Sequence, residues 1–125
     1  MGSKRILVTD DALFMRTMMR GILSAQGIEI IEAENGQQAI SQYEAHRPDM
    51  VFMDITMPIM DGIAATRAIK ERDPNACIVM CTAMGQQNMV LEAIRAGAKD
   101  FIVKPFNPER VLDCIEKFTT EAKAA

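Results

Sequence analysis

Residues 50–54 read Met50-Val51-Phe52-Met53-Asp54, four apolar residues and then an acid. A run this short, with no polar alternation, reads as a strand buried on both faces. Such strands belong to parallel sheets covered by helices. The same pattern stands upstream, where Ile6-Leu7-Val8-Thr9 is followed by Asp10 and Asp11. In an open parallel sheet the carboxyl ends of neighbouring strands line one crevice, and ligands bind there. Asp10, Asp11 and Asp54 are therefore expected side by side. Three carboxylates so placed repel one another unless a cation joins them. No histidine or thiolate stands beside them, and an all-oxygen donor set suits a hard divalent ion, Mg²⁺ or Mn²⁺.

An aspartate behind a strand is also a common helix N-cap. That simpler role fits Asp11 better than Asp54, because Ile55-Thr56-Met57-Pro58 does not open a helix cleanly. The doublet together with a third acid, one strand–helix unit later, favours the metal reading.

Working outward, the chain alternates strand and helix. Strands are expected near 5–9, 28–33, 50–54, 78–82 and 101–103. A first helix over about 13–26 carries Phe14, Met18, Ile22 and Leu23 at helical spacing and stops at Gly27. Asn35 caps a second over about 36–47. A third ends near Asp73-Pro74, and a fourth runs over about 86–96 and stops at Gly97. Asn107-Pro108 opens the last, with Asn as cap and Pro in the first turn; Val111, Leu112, Ile115 and Phe118 form its buried stripe. Five such units give a doubly wound α/β fold with five parallel strands. No linker or low-complexity segment divides residues 1–125, so one domain is expected, with residues 1–4 and 120–125 flexible.

Composition sets the class. The 125 residues suit one core, and 49% hydrophobic with 25% charged content is that of an ordinary globular chain. A net charge of −3 gives no nucleic-acid footprint. No apolar run is long enough to span a bilayer, and Met1-Gly2-Ser3-Lys4-Arg5 leads straight into a strand, unlike a secretory signal. Cys77 and Cys81 are too far apart along one strand to bridge, at about 3.3 Å per residue. With Cys114 they read as reduced core thiols, and a cytoplasmic protein without membrane attachment is expected. The 11 methionines read mainly as adaptable core filler.

Two further polar residues close strands on the same side of the sheet: Thr82 ends the fourth and Lys104 follows the fifth. Three acids, a hydroxyl and an ammonium together make a phosphoryl-transfer set: a nucleophilic carboxylate, a cation site, and donors for anionic oxygens. Any one of these residues alone would be an ordinary strand end or a solvated lysine.

The segments Asp10-Asp11, Met53-Asp54-Ile55-Thr56-Met57-Pro58-Ile59-Met60-Asp61-Gly62, Thr82-Ala83 and Lys104-Pro105-Phe106 resemble the receiver domains of bacterial two-component response regulators. The likeness runs from about Lys4 to Phe118. It is closest to single-domain chemotaxis members, through Asp11-Ala12-Leu13-Phe14-Met15-Arg16 and Ala83-Met84-Gly85-Gln86-Gln87. The resemblance implies a flavodoxin-like strand order, 2-1-3-4-5. It implies that Asp54 accepts a phosphoryl group from a chemotaxis-type histidine kinase. Asp11 and Asp54 would bind Mg²⁺ by side chain, Thr56 by its backbone carbonyl, and Asp10 mostly through water. Thr82 and Lys104 would hold phosphoryl oxygens, with Thr82 and Phe101 as the switch pair. Thr56 and Met84 would tune dephosphorylation, and the Lys104-Pro105 bond would be cis. Such a protein is a phosphoacceptor that promotes its own phosphorylation and dephosphorylation rather than an enzyme with a separate substrate. Its implied output is a changed surface on helix four, strand five and helix five that binds a flagellar motor switch protein, with a phosphatase as a further partner.

Rival readings separate on single residues. An aspartate-nucleophile phosphatase of the haloacid dehalogenase type needs an acid two residues after its nucleophile, and Thr56 stands there. A flavin module would meet repulsion from Asp10-Asp11 at its phosphate. A receiver in another phosphorelay has the same chemistry and differs only in its partner.

Overall fold

The computed structural model describes residues 4–83 and 86–124, with side chains through 119. Its elements are β1 (Arg5–Thr9), α1 (Leu13–Ser24), β2 (Glu29–Ala33), α2 (Gly36–His46), β3 (Met50–Asp54), α3 (Gly62–Arg72), β4 (Ile78–Thr82), α4 (Gln87–Ala96), β5 (Asp100–Val103) and α5 (Pro108–Ala124). The strands form one parallel sheet in the order β2-β1-β3-β4-β5. This is the expected doubly wound α/β fold. The helical backbone of α5 runs on to Ala124, through much of the C-terminal segment expected to be flexible.

Successive residues of a strand face opposite sides, so β1, β3 and β4 each feed two cores. Leu7, Val51, Met53, Ile78 and Met80 pack with Ile40, Tyr43, Ile63 and Ile69 of α2 and α3. Ile6, Val8, Met50, Phe52 and Val79 pack with Met19 and Leu23 of α1 and with Val111, Ile115 and Phe118 of α5. Every residue of β3 and β4 is buried, which is why those strands carry no alternation.

The helix punctuation follows local chemistry. Asn35 Oδ1 accepts from the Gln38 N–H at 2.9 Å, and Asn107 Oδ1 accepts from the Glu109 N–H at 2.9 Å. Gly97 ends α4 at φ 117°, a left-handed conformation in which a side chain would be strained. Cys77, Cys81 and Cys114 form no disulfide.

The stripe expected on α1 is corrected. Met19 and Leu23 are buried and Met15 and Ile22 pack beside them, whereas Phe14 is 71% exposed. Phe14 lies one residue, about 100°, off the face that meets the sheet. No helix among the described residues is long and apolar enough to cross a membrane.

Candidate functional site

Asp10, Asp11 and Asp54 converge where β1 and β3 end. One carboxylate oxygen from each lies within 4.8 Å of the others. Adjacent strands in register bring them together: Thr9 lies opposite Met53, so the residues that follow each strand emerge side by side. Asp10 and Asp54 are buried and Asp11 is exposed. Asp11 is not the cap of α1. Ala12 takes that position without a side-chain bond, and Asp10 Oδ1 accepts its N–H at 2.9 Å.

Lys104 reaches into the cluster from beyond β5. Its Nζ donates to Asp10 Oδ2 at 2.8 Å and lies 3.2 Å from Asp54 Oδ1. Burial alone would lower the ammonium pKa; the bond to Asp10 and the charges of Asp54 and Asp10 outweigh it and raise it, so Lys104 stays protonated. Asp54 moves the other way. Burial first, and then the charge of Asp10, push its carboxyl up to about 6 from an ordinary 3.8, against the opposing pull of Lys104 and the Ile55 N–H. Near neutral pH it remains mostly ionised, and more basic than a solvated aspartate. The Ile55 N–H also bonds Oδ1, at 3.0 Å. Both contacts fall on the same oxygen, Oδ1.

The donor set fits a hard divalent cation. Three carboxylates face one ammonium, so two negative charges stay uncompensated in a largely buried pocket. Thr56 sits at its mouth, exposed, on the β3–α3 connection.

Thr82 is buried at the end of β4, and its carbonyl accepts the Lys104 N–H at 2.7 Å. The Lys104-Pro105 bond is cis, as the resemblance implies. Phe101 points outward and is 37% exposed. It shares a cleft of about 240 Å³ with Thr82, Ala83, Gln87, Val90 and Val103. Beside this cleft α4 buries only Ala93 and β5 only Ile102. Met84 lies outside the described residues.

Three residues that help build the site lie within the family-like segments, but no pattern along the chain assigns their roles. Arg16, buried, donates to the Asp10 carbonyl at 2.8 Å and to Glu32 Oε1 at 2.9 Å, so it fixes the turn that carries the acids. Gly62 lets the start of α3 approach the Asp54 carbonyl more closely than any side chain allows. Gln86 bridges two loops over the mouth. Their partners are distant in sequence or in the backbone, where no periodicity reveals them.

Comparison with known proteins agrees with this geometry. The family model described as "Response regulator receiver domain" matches residues 6–116. The chain is 60% identical over 114 residues to the chemotaxis protein CheY of Bacillus subtilis, spanning 90% of this chain and 95% of that one. It superposes on the CheX-CheY-BeF3-Mg²⁺ complex of Borrelia burgdorferi with a TM-score of 0.85 at 37% identity, over 91% of this chain and 87% of that one. NtrX of Brucella abortus gives a TM-score of 0.91 at 34% identity, and there 98% of this chain spans only 28% of the longer protein.

Proposed function

The chain belongs to the response regulator receiver domain family, and from that premise we propose that it is a phosphorylation-dependent switch whose phosphoacceptor is Asp54. The observation that carries the reading is a buried, ionised carboxylate of raised basicity, presented beside a second acid and a shared lysine. A carboxylate oxygen of Asp54 attacks the phosphorus of a phosphohistidine on a partner histidine kinase. A P–O bond forms, the P–N bond breaks, and the leaving imidazole nitrogen takes a proton from solvent. Lys104 neutralises charge on the phosphoryl oxygens and Thr82 donates to one of them; the contribution of both is position rather than covalent chemistry. Asp11 and Asp54 would hold Mg²⁺ by their carboxylates, Thr56 by its carbonyl and Asp10 through water, and the bound ion would offset phosphoryl charge.

The new dianion draws Thr82 toward it. Phe101, at the rim of the shared cleft, can then turn inward, and the population shifts to a second packing of α4, β5 and α5. Phe101 has no hydroxyl, so packing alone holds its inward position. The face that changes is apolar at Leu91, Ile94, Phe101 and Val103, each at least 37% exposed. A protein partner fits that surface. The similarity to chemotaxis CheY points to a flagellar motor switch protein.

The test is labelling from radiolabelled acetyl phosphate with Mg²⁺. Asp11→Asn removes a ligand and a charge, and its labelling rate should fall at least about tenfold. Unchanged labelling would refute the metal role. Phosphorylated, but not unphosphorylated, protein should retain the flagellar switch protein in a pull-down. Transfer of the label to a second histidine protein, with no retention, would replace the motor reading by a phosphorelay.

A further inference from the structure

Gln86 precedes α4 as its N-cap residue, yet its side chain makes no cap bond. The carboxamide is instead divided between two loops. Its Oε1 accepts from the Ala83 N–H at 2.7 Å, and its Nε2 donates to Thr56 Oγ1 at 3.0 Å. One neutral side chain thus ties the β4–α4 connection to the β3–α3 connection across the mouth of the acidic site.

Both anchors belong to that site. The register of β3 against β4 sets Asp54 opposite Cys81, so Thr82, the last residue of β4, and Ala83 just after it stand one and two residues beyond. A phosphoryl group on Asp54 brings three strong acceptor oxygens to this edge. The nearby donors are Lys104, already shared between two carboxylates, the Thr82 hydroxyl, and the Ala83 N–H that Gln86 now occupies. A charged phosphoryl oxygen is a stronger acceptor than a carboxamide oxygen. Thr56, the other anchor, lies two residues after the phosphoacceptor.

We propose that Gln86 is a latch for the unphosphorylated state. Its carboxamide occupies the Ala83 N–H and holds Thr56, and it releases Ala83 when the phosphoryl group arrives. The inference rests on Asp54 as phosphoacceptor. It makes Gln86 a positioning residue that biases the two-state equilibrium toward the resting form through contacts made only there. Each such neutral, partly exposed bond biases an equilibrium by about two- to tenfold.

The probe is beryllofluoride, a phosphoryl mimic, titrated at saturating Mg²⁺ into wild type, Gln86→Ala and Thr56→Val. Hydrogen exchange of the Ala83 amide and the melting temperature are measured alongside. Gln86→Ala should bind the mimic about three- to tenfold more tightly, with faster exchange at Ala83 in the free protein and a melting temperature that falls slightly without the mimic and matches wild type with it. A merely structural side chain would lower the melting temperature without tightening binding. Thr56→Val breaks one anchor and should give a smaller gain in the same direction, which keeps the test open if Gln86→Ala folds poorly. Wild type that binds the mimic, with variants that bind no tighter, overturns the latch alone. Wild type that binds no mimic overturns the phosphoacceptor reading and the latch with it.

Discussion

Asp54→Asn is expected to reduce acid-stable, hydroxylamine-sensitive labelling from acetyl phosphate to background while making the metal-free protein more stable. The amide cannot act as the nucleophile, so the label has no acceptor. The gain in stability follows from the carboxyl's environment. Burial first and the charge of Asp10 second raise its folded pKa to about 6 from 3.8. The folded protein therefore holds this proton more tightly than the unfolded chain does. Stability from this group is fully present below about pH 4 and is lost as pH rises through about 6, so near neutrality the ionised Asp54 is a net burden. A gap of this size, discounted for partial screening, corresponds to about 1–2 kcal/mol. The melting temperature at pH 7 without Mg²⁺ should rise by roughly 3–8 °C. The difference between variant and wild type should shrink toward pH 4. Undiminished labelling of the variant would remove Asp54 from its role, and a fall in melting temperature would refute the burial and repulsion account.

Gly62→Ala should be among the most damaging single changes near the site. A Cβ there would lie 1.9 Å from the Asp54 carbonyl oxygen, 2.9 Å from its carbonyl carbon and 3.0 Å from Met53 Cγ. The first two are backbone atoms that cannot swing aside, and the Gly62 N–H is tied to the Ile55 carbonyl at 2.8 Å. The start of α3 must lift away from the end of β3, which displaces Asp54 and exposes part of the Ile63 contact. We expect a loss of about 3 kcal/mol or more, a melting temperature lower by roughly 10 °C, and labelling that falls with it. Gly21→Ala is the control. Nothing lies within 4 Å of its added Cβ inside α1, so that change should stabilise by about 0.5–1 kcal/mol. Equal melting temperatures for the two variants would show that the close approach at Gly62 carries no weight.

Much of the molecule was legible in its sequence because short-range rules govern it. Strands β3 and β4 begin and end at the residues their apolar runs mark, since burial on both faces leaves no other composition for them. Asn35, Asn107 and Gly97 stop or start helices by bonds and dihedrals confined to a few residues. One rule, that residues behind parallel strands share an edge, placed Asp10, Asp11, Asp54 and Lys104 together, and the fold brings them together. The face of α1 was not legible. Phe14, Met15, Met18, Met19 and Ile22 are all apolar, and only the angle at which the helix meets the sheet selects Met15, Met19 and Ile22 over Phe14. Tertiary structure alone also decided the roles of Arg16, Gly62 and Gln86. Gln86 meets Thr56 across 30 residues of chain, and Gly62 is required by a backbone oxygen eight positions earlier. Pattern along a chain reports which way a residue faces, whereas these contacts depend on how closely two folded segments approach, a distance that packing of the whole sets.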